Sequence, residues 1–558
     1  MRVRWLGRVP YEEAWDLQRA LATRSTGEYL LLLEHPNVFT LGRNAVEANV
    51  LVDPASVGAE AIRVDRGGDV TYHGPGQLIG YPIRSVGPGP HTGTAHVHQV
   101  EQVVIDALVA LGLPPSDVGR LAGFPGVWVG LGPTGADRSI RPRKICAIGV
   151  RSARGRTTHG FALNVHTDLA MFGHIVPCGI PDKPATSLAA EGFEVTMSDV
   201  VEKVLAAAEP LWGPFEDVQR VTEATDAFPE RVDPPPVAVT IGRDRPLDVR
   251  LRRAGVEPAR GLPVRARKPE WLRVEARTTK RFLGVQHDLR DLQLVTVCHE
   301  AGCPNIFECW AAGTATFMIN GARCTRSCAF CQVDTARPLP LDPTEPARVA
   351  EAVARMGLAH AVVTCVARDD LPDGGAGAFA ETIGAIRDRS PGTTVEVLIS
   401  DCKGDSRSLE TVFEARPDVL NHNIETVARL QRAVRPSAGY ARSLAVLARA
   451  KNAALTAKSG IIVGMGEERG EVLATLADLR AVGVDLVTVG QYLRPSSRHL
   501  PVARWWTPEE FEAIREAGMA MGFAHVQASP LTRSSYHARE AAERSAATQA
   551  ARPVALEA

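Results

Sequence analysis

Little in this 558-residue chain is in excess. Aromatic residues make up only 5%, and 63 Lys plus Arg are set against 64 Asp plus Glu, for a formal net charge of −1. So even a balance argues against nucleic acid or an anionic membrane as the main partner. Long apolar runs are missing too. No segment approaches the roughly 20 apolar residues that cross a bilayer, and the opening MRVRWLGRVPYEEAWDLQ carries acids early where a signal peptide has an apolar core. A cytosolic protein is expected, in which thiols stay reduced and clustered cysteines serve metals or catalysis instead of disulfides. The length exceeds one ordinary domain, and two or three are expected.

What is present is concentrated. Six of the ten cysteines lie between Cys298 and Cys331. They form two triplets, Cys298-x4-Cys303-x5-Cys309 and Cys324-x3-Cys328-x2-Cys331. An iron–sulfur cubane takes four thiolates, so a compact triplet leaves one iron needing a ligand from elsewhere. That open iron can chelate a small molecule carrying an amine and a carboxylate. Structural zinc is the competing reading, but it favours two CxxC pairs or CxxC with paired histidines, and neither occurs here.

The chain reads as two halves. Residues 1–220 mix short apolar runs (29–33, 127–129, 147–150) with Gly- and Pro-rich turns, which predicts an α+β domain with a mixed or mostly antiparallel sheet. Residues 221–267 are rich in Pro and Arg and read as a linker, with 237–241 as a candidate edge strand. From 268 to 545 β-branched runs alternate with helical patterns. Strands are expected at 314–319, 360–364, 395–399, 419–423, 458–463, 484–489 and 524–527. Repeated β-then-α units imply a parallel sheet closed or nearly closed into a barrel, with the active site at the C-terminal ends of its strands. Cys324 to Cys331 follow the first of these strands. Residues 546–558 read as a disordered tail.

The CxxxCxxC loop, with Phe330 before its third cysteine, resembles the radical S-adenosylmethionine enzymes. Within that superfamily, GTATFMINGARCTRSCAFC (313–331), the upstream triplet, RDDLPDGGA (368–376), NHNIETV (421–427), GQYLRPSSRHLPV (490–502) and RSSYHA (533–538) resemble lipoyl synthase over residues 268–540. The resemblance implies a partial (β/α) barrel and two [4Fe-4S] clusters. Cys324, Cys328 and Cys331 would hold the one that binds and cleaves S-adenosylmethionine, with Phe330 beside the cofactor. Cys298, Cys303 and Cys309 would hold an auxiliary cluster with Ser535 as fourth ligand. It further implies sulfur insertion at carbons 6 and 8 of a protein-bound octanoyl chain, the auxiliary cluster giving up its sulfide, and an electron donor. Three positions depart from the family pattern: Cys365 and Ala367 before RDDL, and Cys402 in LISDCKGD. Cys365 and Cys402 are either small buried residues or reactive thiols near the mouth.

In the first half, RGGDVTYHGPGQL (66–78), LLLEHPNVFTLGR (31–43), KICAIGVR (144–151), HGFALNV (159–165) and IVPCGI (175–180) resemble the lipoyl(octanoyl) transferases, which share the biotin and lipoate ligase fold. The resemblance makes Cys178 the nucleophile and Lys144 its partner. Octanoyl would pass from acyl carrier protein to Cys178 as a thioester, then to a lysine of a lipoyl carrier domain, on a 2-oxoacid dehydrogenase or the glycine cleavage H protein. A nearby ammonium lowers a thiol's pKa, and Lys144 can move the proton between half-reactions. Arg66, Gly67, Gly68, Asp69, Val70, Thr71, Tyr72 and His73, with Ala147, Ile148, Gly149, Gly160, Phe161 and Ala162, would line the acyl pocket. Cys146, among apolar residues, reads as core. An ATP-dependent lipoate or biotin ligase is the rival in this fold. A second alternative makes one half a silent docking module for lipoyl domains. The basic runs RSIRPRK (138–144) and RLRRAG (250–255) read as solvated, or as sites for acidic carrier proteins.

Overall fold

The structure, a computed structural model, describes residues 1–87, 92–132, 142–177, 183–222, 246–275, 277–311 and 315–550. Cys178, the run 138–141, the candidate strand 237–241 and residues 551–558 lie outside the described residues. The chain divides into two compact units, Met1–Arg220 and Val221–Ala558.

The first unit is built on an eight-stranded sheet. Its strands are β1 (Arg2–Arg8), β2 (Tyr29–Glu34), β6 (Gln77–Ile83), β7 (Val118–Leu121), β8 (Phe124–Val129), β9 (Arg143–Ala153), β10 (Arg156–Asn164) and β11 (Asp217–Arg220), in the order β11-β1-β2-β6-β10-β9-β8-β7. A smaller sheet, β4-β3-β5, joins Glu60–Arg63, Val38–Leu41 and Val70–His73. β1 runs parallel to β2 and β11, while the β2-β6-β10-β9-β8-β7 pairings are antiparallel. Helices α1 (Tyr11–Arg24), α2 (Thr92–Ala110) and α3 (Met197–Trp212) complete the unit. α2 buries Val100, Val103, Val104, Ala107 and Leu108 against Leu30, Leu32, Leu78 and Leu163. That spacing is the apolar stripe of a 3.6-residue period. β2 reads as an unbroken apolar run, YLLLLE, because Tyr29 to Leu33 are all buried. β9 and β10 form a hairpin whose turn residues Arg154 and Gly155 have φ of 53° and 72°, the left-handed pair that a tight two-residue turn demands.

The second unit is a seven-stranded, wholly parallel sheet in sequential order: β12 (Thr316–Ile319), β13 (His360–Cys365), β14 (Thr394–Leu398), β15 (Val419–Asn421), β16 (Thr456–Val463), β17 (Leu486–Gln491) and β18 (His525–Ala528). All seven expected strands form, with ends shifted by a few residues. Sequential parallel neighbours need a crossover between each pair, and the barrel is partial. Ahead of it stand α4 (Pro246–Arg253), α5 (Lys280–Asp291), α6 (Val297–Glu300) and α7 (Ile306–Ala311).

The Pro/Arg-rich stretch is not uniformly irregular. Residues 246–253 are helical and Leu251 is buried. Ala254 O accepts from Arg429, and Leu262 N donates to Val502 O at 2.7 Å. This part of the expected linker is therefore folded onto the barrel. Residues 538–550 continue as helix into the expected tail. Among the described residues, no helix is long and apolar enough to cross a membrane.

Candidate functional site

In the first unit, Lys144 is the second residue of β9. Its N–H donates to Pro184 O and its carbonyl accepts from Thr186 N, both at 2.9 Å. The ammonium lies 4.8 Å from the centre of the Trp128 ring, a cation–π contact. Around it opens a cleft of about 400 Å³ whose walls include Gln77, Trp128, Asn164, Phe172, Pro177 and Lys183. Pro177 and Lys183 bracket the segment 178–182, so the chain enters and leaves that segment at the wall of the Lys144 cleft.

A second cavity of about 460 Å³ shares Thr71, Ala147 and Ala162 with the first. Arg66 to Asp69, Thr71, His73, Ala147 to Gly149 and Gly160 to Ala162 line it. Three stretches separated in sequence thus meet at one cavity. Val70 and Tyr72, expected beside them, do not line it. They belong to a core cluster with Phe39 and Met171, because alternate residues of a strand face opposite ways. At Gly149 a Cβ would stand 3.0 Å from Gly67 O. Backbone of two stretches thereby approaches without a side chain between.

Below the cavity lies a buried polar chain with a fixed direction. Gln77 Nε2 donates to Asn164 Oδ1 at 2.9 Å, and Asn164 Nδ2 donates to Thr186 O at 2.8 Å. Gln77 Oε1 then accepts from His73 Nδ1 at 2.8 Å, leaving His73 Nε2 to accept from Thr40 Oγ1 at 3.3 Å. Thr40 Oγ1 in turn accepts from Arg66 Nε and Nη2 at 3.2 and 2.9 Å. Burial above all, then His35 and Arg66, keeps His73 neutral well below its ordinary range. This chain joins the glycine-rich string to the strand segment that flanks Lys144. A parallel set holds His159, at φ 60°: its N–H donates to Gln18 Oε1 at 2.7 Å and its Nε2 to Asp65 at 2.8 Å. Burial, then Arg66 and Arg151, pushes its pKa down to about 3. Cys146 is buried, and burial drives its thiol pKa far upward, so it is inert core.

Sequence reasoning missed Tyr11, Gln77, Tyr81, Trp128 and Asn164 at these cavities. Asn164 lies within the quoted run HGFALNV and could have been found there. Tyr11 sits on α1 and gave no signal.

In the second unit, the loop after β12 carries Cys324, Cys328, Phe330 and Cys331. It is pinned by Cys324 N to Asp334 O at 2.8 Å, Thr325 N to Ala367 O at 3.0 Å, Ala329 N to Val434 O at 2.9 Å and Leu500 N to Ala329 O at 3.2 Å. His499 Nε2 donates to Cys331 O at 2.9 Å, and Arg326 N–H points at Cys324 Sγ at 3.4 Å. Phe330 is half-buried in the same turn. Arg326 is itself buried, bonded to both oxygens of Asp369 at 2.8 Å and to Asp401 at 2.6 Å. The three thiols are electrostatic neighbours of one another.

Of the first trio, Cys298 sits on α6, Cys309 on α7 and Cys303 in the connection between them. Cys303 N donates to Cys298 O at 3.0 Å, and Cys309 feels both other thiols. Ser535, more than 200 residues away in sequence, arrives beside them. Thr316 Oγ1 donates to Ser535 Oγ at 2.9 Å, and Thr316 also hydrogen-bonds Cys298. Asn305 Nδ2 holds Leu531 O at 2.8 Å, and Tyr536 OH donates to Glu308 at 3.1 Å. The C-terminal segment is therefore docked on the trio.

The donor chemistry fits iron–sulfur clusters. Burial pushes Cys309 and Cys331 up to about 12 and raises Cys298, Cys303 and Cys328. Thiols in such surroundings ionise only for a strongly cationic partner. Among the described residues, no three His, Cys, Asp or Glu side chains lie close enough together to hold a single metal ion. Of the departures, Cys365 and Cys402 are pushed by burial to about 12 and about 11, which favours the unreactive reading. Ala367 meets the cluster loop through its carbonyl, accepting also from Thr325 Oγ1 at 2.9 Å, so its small side chain removes nothing from that contact.

Comparison with known proteins fits this geometry. Residues 10–209 match the family described as the lipoyl protein ligase A/B catalytic domain, and residues 318–479 match the radical SAM superfamily. The lipoyl synthase of Rubrobacter xylanophilus is 54% identical over 293 residues, 51% of this chain and 91% of that protein. That of Symbiobacterium thermophilum is 55% identical over 287 residues, 51% and 90% of the two chains. Among solved structures, a bipartite lipoate protein ligase from Thermoplasma acidophilum is 19% identical, covering 40% of this chain and 87% of its own at a TM-score of 0.33, too loose a likeness to bear on chemistry. The chain belongs to the lipoyl synthase family through its second half, with the S-adenosylmethionine and iron–sulfur dependence of radical SAM enzymes, and joins to it a lipoyl protein ligase A/B catalytic domain, which makes it an enzyme of lipoate biosynthesis.

Proposed function

We propose that this polypeptide carries two consecutive steps of lipoate assembly: octanoyl transfer from acyl carrier protein to a lysine of a lipoyl carrier domain, then insertion of sulfur at carbons 6 and 8 of that chain. In the first step Cys178 attacks the incoming thioester and holds the octanoyl group as a thioester of its own. Exchange of one thioester for another is nearly isoenergetic, and a thiolate is a strong nucleophile. The carrier lysine's amine then displaces Cys178 to form the amide. The Lys144 ammonium, held over Trp128, gives a proton to the departing carrier thiolate in the first half-reaction and regains one from the attacking amine as Cys178 leaves as thiolate in the second. The cavity bounded by Arg66 to Asp69 and Ala147 to Gly149 accepts the acyl chain, and its backbone N–H groups face the developing oxyanion.

In the second step, two [4Fe-4S] clusters when bound would supply an electron to cleave S-adenosylmethionine into the radical that abstracts hydrogen, and the sulfide that replaces that hydrogen. The chain's own residues orient and seal. Cys324, Cys328 and Cys331 would hold one cluster in a loop clamped by Val434, Leu500 and Asp334. Cys298, Cys303 and Cys309 would hold the other with Ser535, an alkoxide being a weaker ligand for iron than a thiolate. An electron donor is required.

One observation carries the reading: Ser535 is brought across 219 residues of chain to Thr316, which itself hydrogen-bonds Cys298. The test is iron and sulfide content after anaerobic reconstitution. About eight irons per chain are expected; stoichiometric zinc would overturn the sulfur-insertion half. For the first half, transfer from octanoyl carrier protein without ATP is expected, and strict ATP dependence would make it a ligase instead.

A further inference from the structure

Between Arg260 and Leu283 the chain carries eight basic side chains and two acidic ones, in a protein whose charges otherwise balance. Of its described residues, all but Gly261, Leu262, Ala266, Pro269, Leu272 and Phe282 are exposed. Among the described residues, Arg260, Arg265, Arg267, Lys268, Lys280 and Arg281 have no carboxylate partner. Arg277 pairs with Glu275, and Arg273 bonds only to Lys268 O at 3.4 Å. Solvated charge alone would be unremarkable. The ribbon, however, also exposes Val264 (49%), Trp271 (41%), Val274 (44%) and Leu283 (54%), four of the eleven large apolar side chains exposed among the described residues. Apolar groups ringed by unpaired charge of one sign mark an interaction surface.

Its position says what docks there. The ribbon is fastened at both ends to the two thiol trios. Leu262 N donates to Val502 O, two residues from Leu500, which bonds the cluster-loop carbonyl of Ala329. At the other end, Phe282 stacks on Phe307 at 5.5 Å and meets Trp310 at 5.0 Å, flanking Cys309. Leu272 is the buried pin between. A chain that reacts at both trios while attached to a protein must leave that protein's body outside the barrel, on the rim joining them.

We infer that residues 260–283 are the docking surface for an acidic protein domain that presents its acylated lysine to the barrel. This rests on the sulfur-insertion reading for the identity of the cargo, while the surface itself is tested separately. Trp271 and Val274 supply the apolar contact and the unpaired cations supply attraction and orientation. The even net charge of the whole chain and the single exposed aromatic on the ribbon, Trp271, favour a protein over a nucleic acid, which binds through broader basic surfaces and stacked aromatics.

The experiment measures equilibrium binding of an octanoylated lipoyl domain to the full-length protein across salt concentrations, with a short neutral octanoyl-lysine peptide as control substrate. The variants are R265E/R267E/K268E, K280E/R281E and W271A. Wild-type binding is expected to weaken with salt. Each charge-reversed variant is expected to lose about tenfold or more in affinity for the domain and to flatten that salt dependence, while turnover of the peptide stays at wild-type level. Unchanged domain binding, or equal loss with the peptide, overturns the inference. So does ribbon-dependent binding of RNA or anionic vesicles in place of the domain. If the domain binds through the ribbon but its acyl chain gains no sulfur, the docking surface stands and the proposed chemistry falls.

Discussion

Asp401 is fully buried beneath the loop that carries the second thiol trio, and it shares Arg326 with Asp369. Burial works against the charge on each. For Arg326, the hydrogen bonds and charges of Asp369 and Asp401 outweigh burial and hold it firmly protonated. For Asp401, Arg326 outweighs burial and keeps the carboxyl below its usual value. Replacing Asp401 with Ala leaves a buried guanidinium with one partly exposed partner. Breaking a buried pair by removing one partner costs about 3–5 kcal/mol. Because Asp369 remains, the lower end, about 3 kcal/mol, is expected. Unfolding entropy is about 2.1 cal/mol/K per residue, so a unit of about 300 residues has about 0.6 kcal/mol/K, and Tm should fall by about 5 °C.

Calorimetry on the cluster-free protein reads this directly, following the transition of the second unit. Because the Asp401 pKa is lowered on folding, its stabilisation is fully present above the ordinary value of 3.8 and is lost only as pH falls through the lowered one. The gap between wild type and variant should therefore be the same at pH 6 and pH 8. Arg326 also presents its N–H to Cys324 Sγ, so Asp401→Ala should lose about four irons per chain on reconstitution. The double variant R326M/D401L should recover most of the stability, since apolar replacement of a buried pair is often neutral, but not the iron. A Tm within about 1 °C of wild type, or a gap that widens toward acid above pH 5, would refute the reasoning.

Cys178→Ala is expected to abolish octanoyl transfer while leaving S-adenosylmethionine cleavage intact, and Cys328→Ala the reverse; either variant losing both activities would contradict independent sites. Asn164→Leu cuts the chain from His73 to Thr186 beside Lys144, and transfer kcat should drop about 10- to 100-fold with KM little changed, whereas Cys146→Ser, close by on β9 but holding no bond in that chain, should retain transfer. Acid should weaken the first unit more than the second, in which burial holds one such ring, His422, at about 4. His35 and His96 are held at about 4 and His159 at about 3, chiefly by burial, so below about pH 6.5 the unfolded chain takes protons that the folded unit refuses. Each ring then removes on the order of 2 kcal/mol by pH 5, and melts at pH 7 and pH 5 should show the first unit's Tm falling steeply. A flat profile would mean these rings titrate normally in the folded state.

The barrel was legible because its strands are buried on both faces. Runs such as HAVVT and KSGIIV then read as continuous β-branched stretches, and the helices between them show their period openly. The first unit was less so. β2 stands out, but β6, QLIGYPI, carries a glycine and a proline, and β10 passes through His159 in a left-handed conformation. Neither pattern alternates. The two trios were visible in spacing alone, whereas Ser535 could be singled out only through its surrounding string, since a lone serine favours turns and caps. Val70 and Tyr72 show the opposite failure: a contiguous motif was taken as a contiguous lining, although a strand offers only every second residue to one side.

The segment 246–267 shows why composition cannot separate a linker from a strap. Both are rich in Pro and Arg, because neither has a core of its own to fill. What distinguishes the strap is where single residues land: Leu251 buried, Val256 against Gly466, Gly261 against Pro501 and Leu262 paired with Val502. Each is one apolar or small residue in a run of polar ones, so no period betrays them, and each partner lies more than 200 positions downstream. Cooperation between such isolated pins is a tertiary property. The exposed basic ribbon that follows depends on it, for without pins at Leu262 and Leu272 those cations would sample solvent freely and present no common face. The hold is testable. Leu272→Asp, at the buried side-chain pin, should release the ribbon, raising proteolytic cleavage between 246 and 275 and weakening carrier-domain binding together, while Leu283→Asp, on an exposed site, should leave cleavage unchanged.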